Sequence, residues 1–106
     1  MIADDFKRDV YFNVPHPTLA WSVLCVSVRE VGGHWEQAHE FQFPVIGMGT
    51  PFMGNYPSRD AAGMNGLCFL RRALMRVTRE DREKAQEHAE AIWEIINPQQ
   101  RELALS

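Results

Sequence analysis

Two adjacent glycines, Gly32-Gly33, separate two long β-prone runs, TLAWSVLCVSVREV and HWEQAHEFQFPV. Glycine reaches the positive φ angles that a two-residue hairpin turn requires, so this spacing predicts a hairpin over residues 20–45. With the turn placed there, Val31 opposes His34 and Glu30 opposes Trp35. Continuing outward, one face collects Ala20 with Val45, Ser22 with Phe43, Leu24 with Phe41, Val26 with His39 and Val28 with Gln37. The other face collects Trp21 with Pro44, Val23 with Gln42, Cys25 with Glu40, Ser27 with Ala38 and Arg29 with Glu36. The first face is mostly apolar and the second is mixed. A slip of one residue would exchange the two faces, so pattern and turn support one register. Arg29 and Glu36 become opposed charges, a pair worth a few tenths to about 1 kcal/mol.

The rest of the chain is read around this hairpin. VYFNV, residues 10–14, alternates apolar and polar positions and reads as a short strand that the following PHPT stops. Gly47 and Gly49 are expected to turn the chain after the hairpin. TPFMGNY, residues 50–56, then forms a further strand, with Pro51 marking its start and an edge position. PSRDAAG opens a helix, Ser58 serving as N-cap and Asp60 complementing the helix dipole. Gly63, Leu67, Leu70, Leu74 and Val77 recur at helical spacing and define one buried stripe on a helix over about 59–77. Gly63 and Gly66 each cost up to about 1 kcal/mol inside a helix, an expense that close approach to the sheet would offset. TRED, residues 78–81, resembles a second N-terminus, with Thr78 as cap and Asp81 at the third helical position. A second helix over about 79–96 buries Ala85, Ala89, Ile92 and Ile96, with His88 and Trp93 flanking, and Asn97-Pro98 ends it.

The expected fold is therefore α+β. A small antiparallel sheet of three to four strands packs against the first helix, and the second helix follows. Residues 1–106 form a single domain with loose ends at 1–9 and 98–106. The junction GNYPSRDAAGMN, residues 54–65, resembles the last-strand-to-helix junction of integrase-type arm-binding domains, where three strands pack on one helix. The resemblance implies topology. In that family the exposed sheet face contacts DNA; here that face carries Arg29 together with Glu36 and Glu40.

Chemistry-bearing motifs fail on inspection. Gly49 and Gly54 have the first spacing of a phosphate-binding loop, but Asn55-Tyr56 replace the required Lys-Ser/Thr, and Pro51 lacks an N–H. Gly47 and Gly49 begin a dinucleotide-binding pattern whose third glycine is Phe52. HWEQAHE, residues 34–40, is not H-E-x-x-H, and on a strand His34 and Glu36 share a face while His39 points away. Cys25 and Cys68 sit in apolar runs and read as free thiols of a reducing cytoplasm. No catalytic residue, cofactor or metal site is expected, and the chain does not read as an enzyme. The start, MIADDFKRDV, lacks a secretory core, and no apolar run reaches the roughly 20 residues of a membrane span. The expected location is cytoplasmic, with no membrane partner.

Two charged ridges remain. Arg72, Arg76 and Arg79 share one face of the first helix if it continues through 79, with Arg71 and Arg82 nearby, and Glu83, Glu87, Glu90 and Glu94 recur along the second. Local pairs such as Arg79–Glu83 and Glu80–Lys84 could absorb part of this charge. The preferred expectation is a non-catalytic protein-binding module, an adaptor or inhibitor. It would dock through the acidic ridge or through Trp21, Trp35 and Tyr56. The alternative is a nucleic-acid-binding regulator that uses the arginine ridge, with Arg29 on the sheet face. The net charge of −3 argues against non-specific nucleic-acid binding. A homodimer is compatible with either expectation.

Overall fold

The computed structural model describes residues 9–96. The expected tail at 98–106 and the Asn97-Pro98 stop lie outside the described residues. Five strands come first: β1 (Asp9–Pro15), β2 (Ser22–Val31), β3 (His34–Gln42), β4 (Gly47–Gly49) and β5 (Met53–Tyr56). Helix α1 (Arg59–Met75), a 3-10 turn (Arg79–Asp81) and helix α2 (Arg82–Ile95) follow. The fold is α+β, an antiparallel sheet packed with two helices, as the sequence pattern predicts.

Gly32 and Gly33 make the turn at φ 57° and 89°. The ladder runs from Val31–His34 to Leu24–Phe41 in the expected register. Beyond Leu24 the expected pairs are not made: residues 17–21 bend away, and Phe43 N–H donates instead to Ile46 O at 2.8 Å. Pro44 bends the chain here and has no N–H to give to a ladder. The strands lie in the order β1-β2-β3-β4, and β5 shares the β3 edge with β4.

Three local expectations are corrected. Gly47 and Gly49 do not turn the chain; they form β4 with Met48, held against Glu40, Phe41 and Gln42. Residues 50–56 are not one strand, because pairing resumes only at β5, where Trp35 faces Tyr56. Asp9 is not loose: it opens β1, and its carboxylate accepts two hydrogen bonds from Arg59, one of them 2.9 Å from Nη2. That bidentate contact holds the Asp9 carboxyl below the usual carboxylate range.

Helix α1 starts where expected, with Ser58 Oγ accepting from Ala61 N–H at 3.1 Å. It ends at Met75, two residues short of the expected Val77, and the N–H of Arg76 and of Val77 fold back to Ala73 O and Leu74 O. Its stripe lies on the apolar hairpin face, so Leu24, Val26 and Phe41 meet Leu67, Leu70 and Leu74 in one core that Ala85, Ala89 and Ile92 of α2 complete. Burial of each large aliphatic side chain contributes about 1.5–3 kcal/mol. The close approach expected of Gly66 is present: a Cβ there would lie 2.6 Å from Val26 Cγ1 and 3.0 Å from Gln37 Oε1.

Thr78 does not cap with its side chain, and α2 begins at Arg82 rather than at 79. Asp81 is buried, and its carboxylate serves a distant partner instead of the local capping box. Among the described residues, no helix is long and apolar enough to cross a membrane.

Candidate functional site

Four exposed apolar side chains, Leu19, Trp21, Val45 and Ile46, stand on two loops at one end of the sheet. The first loop follows β1. Its Pro15-His16-Pro17 segment is stiff, and His16 Nδ1 accepts from the N–H groups of Thr18 at 3.1 Å and Leu19 at 3.0 Å. Accepting both bonds requires the ring hydrogen on Nε2, which therefore remains a donor. His16 N–H closes the loop on Trp21 O at 2.9 Å, and the two rings sit 4.5 Å apart. The loop thus holds Leu19 and Trp21 outward, 54% and 40% exposed.

The second loop, residues 43–46, follows β3. Asp81 Oδ2 accepts from Val45 N–H at 3.1 Å and Ile46 N–H at 3.0 Å. Val45 and Ile46 stand 66% and 43% exposed. Between the loops lies a cleft of about 790 Å³, walled by Val14, Val23, Phe43 and Pro44, with Lys84 and His88 at its α2 side. The Phe43 and His88 rings are 5.9 Å apart. Burial holds His88 below the usual histidine range, reinforced by Lys84 and opposed by Glu87. This volume lies within the ordinary range for ligand pockets, about 300–1,000 Å³. Much of the wall is apolar, the Asp81 carboxylate is engaged by backbone, and Glu80, Lys84, Gln42 and the two imidazoles supply the other polar groups.

The structure separates the three aromatic residues of the sequence reading. Trp21 stands at this end. Trp35 and Tyr56 are half-buried neighbours across the β3–β5 pairing near the hairpin tip. The ten residues of β2 lie between the two ends, roughly 30 Å at 3.2–3.4 Å per residue.

The arginines are also divided. Arg72, Arg76 and Arg79 are exposed. Arg71 is half-buried, with its guanidinium 4.4 Å over the Trp93 ring. Arg29 lies on the sheet face away from α1, 2.8 Å from Glu36 and 4.4 Å over Phe52. Glu83, Glu87, Glu90 and Glu94 are exposed along α2. The local pairs Arg79–Glu83 and Glu80–Lys84 do not close to 4.0 Å. Arg79 has a φ of 64° in a 3-10 turn, so the α-helical spacing those pairs need is broken there.

HWEQAHE is divided as the strand geometry predicts. His34 lies 3.9 Å from Glu36, whereas His39 is buried on the other face and its Nδ1–H donates to Gln37 Oε1 at 2.9 Å. Among the described residues, no three His, Cys, Asp or Glu side chains are grouped to hold a metal. Sequence reasoning singled out Trp21 but missed Leu19, Val45 and Ile46. The prolines at 15, 17 and 44 were the available signal that these loops are stiff. No known protein family, curated protein or solved structure matches the chain.

Proposed function

We propose that the protein is a non-catalytic protein-binding module, an adaptor or inhibitor, that docks on a partner protein through the Trp21 end. The carrying observation is the joint exposure of Leu19, Trp21, Val45 and Ile46 on two hydrogen-bonded loops. Exposed apolar side chains grouped on neighbouring loops are frequent interaction sites, and tryptophan is a frequent anchor of binding energy. Loops already held in one shape lose little conformational freedom on docking.

Site-specific photocrosslinkers test this reading in the native cell. Probes at Leu19 or Val45 should capture a protein, while probes at Val31 on the hairpin tip, also 40% exposed, should not. The adduct should survive nuclease treatment. Equal capture from Val31, or loss of the captured material on nuclease treatment, would contradict the reading. The latter result would favour nucleic-acid binding through the exposed arginines Arg72, Arg76 and Arg79. Affinity would then fall with salt, at a log–log slope near −0.9 per phosphate neutralised on duplex DNA.

A further inference from the structure

We propose that two copies of this chain associate through their helical layers, the basic flank of one copy meeting the acidic flank of the other. The two helices run antiparallel: Met75 and Arg71 of α1 line one groove with Gln86, Ala89, Glu90 and Trp93 of α2. This groove, about 360 Å³, lies between the helices, separate from the Trp21 cleft. Met75 on its wall is 55% exposed. Arg71 stacks on Trp93, and its buried Nε has no hydrogen-bond partner.

The flanks of this groove carry opposite charge. Arg72 and Arg76 lie on the side of α1 turned toward β4, where they line a second groove with Met48 and Phe69. Glu83 and Glu87 lie exposed along α2, and Glu90, also exposed, forms the acidic edge of the groove itself. Among the described residues, none of these five side chains has an opposite charge within 4.0 Å. The layer is thus basic on one border, partly apolar in the middle and acidic on the other. Facing two such layers across a two-fold axis parallel to the helices sets each basic border opposite an acidic one. It also keeps matching heights, because the end of α1 lies beside the start of α2. Such an interface is isologous and closed. A two-fold axis across the helices would instead oppose like charges.

Sedimentation equilibrium on the full chain tests the pairing. In about 50 mM salt, where screening is weak, the wild type should reach dimer mass by about 100 µM, and about 1 M salt should weaken the dimer at least tenfold. Arg72→Glu with Arg76→Glu should give a monomer, and so should Glu87→Arg with Glu90→Arg. An equimolar mixture of the two variants should recover dimer mass, since one then has two acidic flanks and the other two basic ones. A monomeric wild type, a dimer indifferent to both charge reversals, or folded variants that fail to recover on mixing would each overturn the proposal. Should either variant lose its helical circular dichroism, the wild-type salt titration decides, and a dissociation constant unchanged by salt overturns it.

Discussion

The Asp81 carboxylate at the start of α2 accepts the backbone N–H of Ile46 at 3.0 Å, across 35 positions of sequence. The same oxygen accepts Val45 N–H at 3.1 Å, so one buried side chain ties the helical layer to the loop at residues 43–46. Asp81→Ala would leave two amide donors without this acceptor. Hydrogen bonds to a charged group contribute about 1.5–3 kcal/mol, so a loss of about 2–3 kcal/mol is expected in urea unfolding. Amide exchange at Val45 and Ile46 should quicken more than exchange in β2. Asp81→Asn, which retains one carbonyl oxygen, should lose about half as much.

Gly66 sets how closely α1 lies on the sheet. Its missing Cβ would meet Val26 Cγ1, on a short branched side chain in the core that cannot swing aside. Gly66→Ala gains up to about 1 kcal/mol of helix propensity but overpacks the core, which costs about 1–3 kcal/mol. The net expectation is destabilisation by about 1–2 kcal/mol, read as a lower urea midpoint. Asn65→Ala, one residue away and exposed, should not reproduce it.

Much of this architecture is visible in the residues alone because its causes are local. Gly32-Gly33 demand a turn, the alternation on either side names the buried face, and the Leu67–Leu70–Leu74 stripe names the helix that covers it. The failures come from long-range causes. Gly47 and Gly49 read as turn residues, and only the β3 edge beside them makes them a strand. Asp81 stands where a capping box would place it, yet its partners are backbone groups far away in sequence. The proposed docking surface was half legible: the sequence singles out Trp21 as a candidate aromatic anchor. The exposure of Leu19, Val45 and Ile46 depends on two loops meeting in space, which residue spacing does not record.

Acid should weaken the fold through two histidines. Burial lowers the pKa of His39, and burial also lowers that of His88. Each binds its proton more weakly in the native state than in the unfolded chain, whose histidines titrate near 6.5. Below that pH the unfolded state takes up more protons, so stability is full above about pH 6.5 and falls as pH drops toward the native values. Urea midpoints should therefore decrease from pH 7.5 to pH 5.5, at about 0.1 M salt. The combined His39→Leu and His88→Leu variant should show a smaller decrease over that interval, whatever its starting stability.

The most direct measurement is the affinity of the photocrosslinked partner for the Trp21→Ala variant, by titration calorimetry after nuclease treatment. An anchoring tryptophan contributes about 2 kcal/mol or more, so the dissociation constant should rise at least roughly thirtyfold. Circular dichroism should remain unchanged, and Trp35→Ala, if folded, should bind nearly as the wild type does. Undiminished affinity in the folded Trp21→Ala protein would contradict the assignment of this end of the sheet as the docking surface.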